Sequence, residues 1–371
     1  MRWKPTRVSQ LTLLLLAFLS LGVLLAVEHF KRGIDRPYLA EKLRAAERMR
    51  QAIEAISAAL VERGHDFDPN TDPRQTGLIG VEFTAITNDR GVLAAKQVVT
   101  NPNFAALVVE MLLSAGLEKG DTIAVGWTGS LPGANLAVLC AAETLGLRVI
   151  PIASVAASMY GANDPEFTWL DMEKLLVEKD VLHTRSVAAS FGGDEDRGKG
   201  MGESGRELIR KALQRVGVPL IYEPSFEGQV AARMRTYAER AGKAPIRMYV
   251  NVGGGMASLG ARINGLLLKP GLTRSARGLR FRREGVLPLM AKQGLPVVHV
   301  NYIDRLCQRY GFPTDPQADD MPGTGPMYHT EEYDVRLAGG LLAALLVVFF
   351  VTIRLDMRHY VARHKRANEM V

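Results

Sequence analysis

A serine at a strand-to-helix turn is the first residue of this sequence that could do chemistry. Ser130 lies in DTIAVGWTGSLPGAN, residues 121–135, where an apolar run predicts a short buried strand and the glycines after it predict a turn into a helix. Such a turn directs backbone N–H groups and the positive end of a helix dipole toward one point. That point suits an anionic ligand or a developing oxyanion.

Two aspartates and a histidine follow this serine in the chain order of the α/β-hydrolase triad. Asp194 or Asp196 would orient His299, and His299 would take the proton of the Ser130 hydroxyl. The nucleophile elbow G-x-S-x-G is incomplete, because threonine and proline stand where its two glycines are needed. His299 could equally be a structural histidine at a strand end. The four residues are therefore catalytic candidates for a serine-type enzyme.

Glycine and polar residues are concentrated where the predicted strands end, including the segment 154–164. Glycine permits positive φ angles and a close approach of the backbone to a ligand. Parallel strands bring these ends together at one edge of the sheet, where ligands bind. Tight turns that simply need glycine are the alternative. The predicted ligand-binding residues are Trp127, Thr128, Gly129, Gly192, Gly193, Arg197, Lys199, Asn251, Gly253, Gly254 and Gly255.

Five arginines occur within ten residues of an otherwise nearly neutral region. A guanidinium group binds a carboxylate through two hydrogen bonds, so the cluster predicts a track for a polyanion. A solvated basic loop is the alternative. The cluster is Arg274, Arg277, Arg280, Arg282 and Arg283, of which we expect the first three to bind the ligand.

Other kinds of site fit the sequence less well. The acidic run 66–72 resembles half of a calcium loop, but Thr71 stands where that loop needs glycine. Ser258 breaks a dinucleotide-binding G-x-G-x-x-G after Gly253, and no P-loop motif occurs. Cys140 and Cys307 lack metal-ligand spacing and could form a disulfide or remain buried thiols. We expect no metal and no cofactor.

Predicted strands and helices alternate from residue 77 onward, and they must position these residues. Among them are strands at 78–87 and 218–222 and a helix over 256–267. The alternation predicts an α/β fold with a mostly parallel, doubly wound sheet and helices on both faces, in a domain spanning 77–330. For residues 28–76 we expect an amphipathic helix over 37–61, followed by a linker. This helix could pack on the domain or mediate oligomerisation.

Two uncharged apolar runs flank the domain, at 11–27 and 337–353. Each is long enough to predict a transmembrane helix, although a signal peptide is an alternative for the first. Basic residues lie outside both runs, in 1–10 and in the tail 354–371. The positive-inside rule then predicts a two-pass cell-membrane protein with both termini cytoplasmic and the central domain extracytoplasmic.

The excess of basic over acidic residues lies mainly in those two flanks. The chain has 46 Lys and Arg against 39 Asp and Glu. Without the flanks, 38 basic and 37 acidic residues remain. The excess therefore reflects topology, and a nucleic-acid partner is not indicated.

Four blocks of the sequence resemble the poly-gamma-glutamate system protein family. They are GLIGVEFTAIT (77–87), GWTGSLPGANLA (126–137), SFGGDEDRG (190–198) and NVGGG (251–255). The resemblance covers essentially the whole chain. It implies a bacterial membrane protein that acts with the ATP-dependent ligase and the membrane subunit of poly-gamma-glutamate synthase. It assigns no catalytic residue.

Three hypotheses follow from these patterns. In the first, the exported domain binds the newly made poly-gamma-glutamate chain and assists its synthesis, export or retention in a capsule. In the second, the domain is a serine-type amidase or transpeptidase that acts on gamma-glutamyl bonds. In the third, it is a non-catalytic scaffold of the synthase complex.

Overall fold

The chain forms two compact units. The structure, a computed structural model, describes the backbone of residues 10–368 and the side chains as far as residue 355. One unit comprises the two ends of the chain, Met1–Asp35 with His329–Val371, and the other is Arg36–Tyr328, called here the central unit.

Helices and strands alternate along the chain. The helices are α1 (Gln10–His29), α2 (Leu39–Glu62), α3 (Leu93–Val99), α4 (Phe104–Ser114), α5 (Pro132–Thr144), α6 (Trp169–Glu178), α7 (Glu203–Val216), α8 (Phe226–Ala241), α9 (Met256–Leu259), α10 (Arg262–Leu267), α11 (Val286–Lys292), α12 (Ile303–Tyr310) and α13 (Val335–Asn368). The strands are β1 (Arg32–Asp35), β2 (Thr87–Asp89), β3 (Thr122–Thr128), β4 (Arg148–Ser154), β5 (Ala157–Ser158), β6 (Ala188–Ser190), β7 (Ile246–Val252), β8 (Gly271–Thr273), β9 (Val297–Val300) and β10 (His329–Glu332).

The unit formed by the chain ends contains two apolar helices that are candidates for membrane spans. The segments Gln10–His29 and Val335–Leu355 are long and apolar enough to cross a bilayer, and they contain both runs predicted from the sequence. Next to them, β1 pairs antiparallel with β10, with Arg32 opposite Glu332. The described part of this unit therefore consists of two apolar helices and a two-stranded antiparallel ribbon.

The main sheet of the central unit has the strand order β6-β4-β3-β7-β9-β8. Adjacent strands in this sheet are parallel, except that β8 runs antiparallel to β9. Strand β3 lies in the middle and is buried along its whole length, as its apolar sequence predicts. Buried side chains form one core that includes α2, α4 and α5 and another that includes α8 and α11, so helices cover both faces. The predicted α/β class and mostly parallel sheet are confirmed.

The amphipathic helix belongs to the central unit. The apolar spacing predicts a helix over 37–61, and α2 spans Leu39–Glu62. Its Met49, Ile56 and Leu60 side chains are buried, and the helix packs against α4 and α5. Its apolar stripe is thus used within the fold.

Three predicted elements differ from the structure. Residues 78–87 are mostly irregular, because the side-chain amide of Asn163 both donates to Val81 O and accepts from Val81 N, where a neighbouring strand would do so. Residues 218–222 contribute only a bridge between Leu220 and Ala189, since proline at position 219 has no N–H to donate. The helix predicted over 256–267 is broken at Gly260, whose φ of +80° is unfavourable for other residues.

Candidate functional site

A cavity of about 440 Å³ lies at the carboxyl ends of β3, β4, β6 and β7. This is the edge of a parallel sheet at which ligands are expected, and the volume lies within the usual range for small-ligand sites. Segments distributed between positions 88 and 305 contribute to the wall. They include 88–92, 128–131, 154–158, 192–194, 253–256 and 301–305.

A buried lysine reaches this cavity from α3. Lys96 is 4% exposed, and its Nζ lies 2.8 Å from the Oγ of Ser158 and also donates to the backbone carbonyl of Ser130. No ion pair joins Lys96 to a carboxylate in the part of the chain that the structure describes. Its close neighbours are therefore neutral oxygens.

The burial of Lys96 changes its acidity. Because removal from water disfavours the ammonium form, burial lowers the pKa of Lys96 to about 7, and the negative charge of Asp89 opposes this shift only in part. In a substantial fraction of the protein molecules, Lys96 is therefore an uncharged amine near neutral pH. Such an amine can accept the proton of a neighbouring hydroxyl group.

Two serines from different segments complete this group. Ser158 ends β5, which pairs parallel with β2, and its backbone N–H donates to Ser130 Oγ over 3.0 Å. Gly161 follows closely, and a Cβ atom there would lie 2.6 Å from the carbonyl oxygen of Gly129. Glycine at position 161 therefore lets the Ser158 segment lie directly against the turn that carries Ser130.

A buried ion pair lies below the cavity. Arg233 and Asp196 approach within 2.8 Å, and they are 2% and 0% exposed. Asp196 Oδ1 also accepts from the hydroxyls of Ser154 and Ser190, each over 2.7 Å. Ser154 lines the cavity, so the ion pair fixes the ends of β4 and β6 where they meet this space.

The structure does not join the four residues of the predicted serine triad. Ser130 and Asp194 line the cavity, whereas Asp196 is held in the ion pair with Arg233. His299 is fully buried, its Nδ1 lies 2.9 Å from the amide nitrogen of Asn251, and burial lowers its pKa to about 4. Among the described side chains, no hydrogen bond connects His299 with Ser130 or with either aspartate. The hydroxyl that does contact a basic side chain here is that of Ser158, and the basic side chain is Lys96.

The predicted ligand-binding residues are divided between the cavity and its surroundings. Those that line it are Thr128, Gly192, Gly193, Gly253, Gly254 and Gly255. Trp127 is buried and donates to Ser186 Oγ, and Gly129 packs against the carbonyl of Val155. Asn251 donates to Gly253 O, and it thereby holds the glycine turn after β7.

The remaining predicted residues are all basic and lie outside the cavity wall. Arg197 and Lys199 form ion pairs with Glu195, at 3.4 Å and 2.6 Å. Arg274 donates to the carbonyl of Ser114 over 2.7 Å, and Arg277 and Arg280 are exposed. The arginine cluster and the cavity are therefore separate features of the central unit.

The comparisons with known proteins assign no family. No family model and no curated protein match the chain. Among solved structures, it is similar to the α-aminoadipate aminotransferase LysN of Thermus thermophilus, complexed with N-(5'-phosphopyridoxyl)-L-leucine, at 13% identity over 89% of this chain and 67% of that one. The TM-score is 0.14, too low to support any argument about fold or function.

Sequence reasoning missed Lys96 and did not single out Ser158. Ser158 lies in the segment 154–164, which the sequence does mark as a strand end rich in small and polar residues. Lys96 has a weaker signal, because it is simply the one charged residue of the run VLAAKQVV, residues 92–99. The two residues are 62 positions apart, so no local spacing connects them.

Proposed function

We propose that the central unit is a serine-type enzyme that hydrolyses or transfers acyl groups of amide bonds, with Ser158 as the nucleophile and Lys96 as the general base. The observation that carries the proposal is the 2.8 Å contact between Lys96 Nζ and Ser158 Oγ at the wall of a cavity large enough for a ligand. A nucleophile within hydrogen-bond reach of a base is the arrangement that covalent catalysis needs.

The chemistry follows from the uncharged amine. Neutral Lys96 takes the proton of Ser158 as Oγ attacks the amide carbonyl carbon. The C–N bond then breaks, and the Lys96 ammonium returns the proton to the departing amine. Water or a second amine attacks the resulting ester, gives its proton to Lys96, and releases a carboxylic acid or a new amide while Ser158 recovers its hydrogen.

Ser130 acts in this scheme as a positioning residue. Its carbonyl oxygen accepts from Lys96 Nζ, and its Oγ accepts from Ser158 N. The first contact directs the amine toward Ser158, and the second fixes the backbone of the nucleophile. The serine singled out in the sequence would therefore support the reaction and not form the ester.

We further propose that the substrate carries carboxylates and is poly-gamma-glutamate. Arg262 is paired with Asp89 at 3.1 Å, but Arg90 and Arg305 line the same cavity without an ion-pair partner among the described residues. Guanidinium groups suit the free carboxylate of each glutamyl residue. The four sequence blocks that resemble the poly-gamma-glutamate system proteins support the same substrate.

The proposed cellular role follows from the two apolar helices and the charges beyond them. We propose a two-pass membrane protein with cytoplasmic termini and an extracytoplasmic central unit, acting beside the ligase and membrane subunits of the synthase. There the enzyme would trim newly exported chains or transfer them to an acceptor. This places it in capsule biosynthesis, export or retention.

A second candidate is binding of the polymer without cleavage. It is favoured by Arg277 and Arg280, which are exposed and have no ion-pair partner within residues 10–355. In this case the central unit would retain the chain or act as a scaffold for the synthase. Cleavage by the purified protein separates the two candidates.

The test uses full-length protein in lipid nanodiscs. A fluorophosphonate probe should label Ser158, and new amines should be released from poly-gamma-glutamate. Ser158→Ala should abolish labelling and lower the release rate at least about 10³-fold, because the nucleophile is lost. Ser130→Ala should retain labelling at Ser158, because the carbonyl that contacts Lys96 remains.

The control is Ser204→Ala on α7, which removes an exposed hydroxyl outside the cavity and should leave the rate unchanged. Probe attachment to Ser130, or unchanged amine release by Ser158→Ala, would refute the assignment of the nucleophile. Absence of labelling and of amine release in the wild-type protein, together with retained polymer, would favour the binding candidate.

A further inference from the structure

One surface of the central unit combines exposed apolar side chains with exposed arginines. Three apolar residues lie on α10 and one on the loop after β8, and each is at least 36% exposed. We call this surface the arginine–leucine face. It comprises Ile263, Leu266, Leu267, Leu279, Arg277, Arg280 and Arg282.

The two parts of the arginine–leucine face are held together by a buried asparagine. The side-chain nitrogen of Asn264 donates to Arg283 O, and its side-chain oxygen accepts from Arg282 N, each over 2.8 Å. Asn264 is fully buried. The helix that carries the apolar residues is therefore joined to the end of the arginine loop, at Arg282 and Arg283.

The charge of this face is not compensated locally. No acidic residue occurs between positions 262 and 283. Arg283 is neutralised by Glu227 at 2.7 Å, but Arg277, Arg280 and Arg282 form no ion pair with the described residues. A partner of this face should therefore be anionic.

The apolar residues distinguish between two classes of anionic partner. A hydrophilic polyanion would bind the arginines but would leave Ile263, Leu266 and Leu267 in water. The surface of an anionic bilayer offers both phosphate groups for the arginines and an acyl boundary for the apolar side chains. A bilayer can therefore contact both the arginines and the apolar side chains, whereas a polyanion can contact only the arginines.

We propose that the arginine–leucine face docks on the anionic surface of the bilayer that anchors the chain. Docking would hold the central unit at the membrane in one orientation, independently of whether the cavity is catalytic. The arginines would contact lipid phosphates, and Leu266 and Leu267 would enter the headgroup region. Arg277, Arg280 and Arg282 are then membrane contacts and not a track for the polymer.

The experiment measures the depth of a fluorophore on full-length protein in nanodiscs. The label is attached at Leu266→Cys, and brominated lipids quench it according to its depth. The native cysteines, Cys140 and Cys307, are buried and remain unlabelled. Lys211→Cys on α7 is the matched control, because α7 packs with the opposite part of the fold, toward the β6 edge of the sheet.

We expect quenching at position 266 to be at least about twofold stronger with phosphatidylglycerol than with phosphatidylcholine alone, and the label at position 211 to be unaffected. The pair Arg277→Glu and Arg280→Glu should remove the difference, and so should 0.5 M salt in part. Equal quenching at 266 and 211 would overturn the proposal. Soluble poly-gamma-glutamate that shields position 266 regardless of lipid charge would also overturn it, in favour of the polymer track.

Discussion

Lys96 and Arg233 are two cationic side chains of the central unit with almost the same burial, at 4% and 2% exposure. Arg233 lies 2.8 Å from the carboxylate of Asp196, with serine hydroxyls around both. Lys96 contacts a carbonyl and a hydroxyl, and no carboxylate pairs with it within residues 10–355. Both side chains are therefore removed from water to the same extent, but only Arg233 has a carboxylate that compensates for its buried charge.

The difference shows that the partner, and not burial alone, decides what a buried cation does. A guanidinium group keeps its proton and needs a counter-charge, so Arg233 and Asp196 serve as a fixed support for the cavity. An amine can give up its proton instead, so Lys96 can become a base. The comparison predicts that replacing Lys96 lowers activity, whereas replacing Arg233 lowers the free energy of unfolding.

Replacement of Lys96 should lower activity without lowering stability. Lys96→Met removes the base, and we expect amine release to fall by at least about 10²–10⁴-fold. Thermal unfolding should occur at an equal or higher temperature, because methionine is buried without the cost of removing an amine from water. In the wild-type protein, kcat/KM should rise tenfold per pH unit below about 7 and level off above it, as Lys96 loses its proton.

Lys96→Arg is the matched control for that prediction. It keeps a cation at the position but cannot act as a base near neutral pH, so it should be as inactive as Lys96→Met. Activity retained by either variant, or a rate that does not change between pH 5.5 and 8, would show that Lys96 is not the base.

Replacement of Arg233 should affect stability first. Arg233→Met leaves the carboxylate of Asp196 buried without a counter-charge, and we expect the free energy of unfolding to fall by about 3–5 kcal/mol. The double variant Arg233→Met with Asp196→Asn should recover much of this loss, since no charge then remains. Denaturant unfolding of the two variants measures the difference, and equal stability of both would contradict the proposed role of the ion pair.

The sequence predicts the architecture well where one local pattern is sufficient. Strand β3 follows from its apolar run and α2 from its apolar spacing. Strand β8 escapes prediction because its three residues lie beside a basic loop and pair antiparallel only through β9. Short elements stabilised by a distant partner have no periodicity of their own.

The sequence predicts where the candidate site lies but not which of its side chains contact one another. The glycine-rich strand ends do meet at one cavity, as parallel strands require. The contacts within it join residues far apart in sequence, 62 positions for Lys96 with Ser158 and 37 for Asp196 with Arg233. The chain order Ser, Asp, His suggested His299 instead, a residue at a strand end that could equally be structural.

Glu173 extends the same comparison to a buried carboxyl group. It is 1% exposed on α6 and accepts from the backbone N–H and the hydroxyl of Ser186, each over 2.9 Å. No cation forms an ion pair with it within the described residues. Burial raises its pKa to about 8, and the hydrogen bonds from Ser186 offset only part of the shift. Glu173 is therefore mostly uncharged at neutral pH, as Lys96 is in part, because each is buried without a counter-charge.

The smallest effect is therefore expected on the pH dependence of stability. Between pH 4.5 and 8 the folded protein holds the Glu173 proton and the unfolded chain does not, so this group's contribution to stability falls as the pH rises through that window. Glu173→Gln is uncharged in both states and should reduce the decline by about 1 kcal/mol or more, seen as roughly 2–4 °C in Tm at pH 8 relative to pH 5. Glu178→Gln, on the exposed side of the same helix, should leave the profile unchanged. If Glu173→Gln lowers Tm equally at both pH values, then the carboxyl group is ionised in the folded protein, and its burial is compensated in the way that Asp196 is.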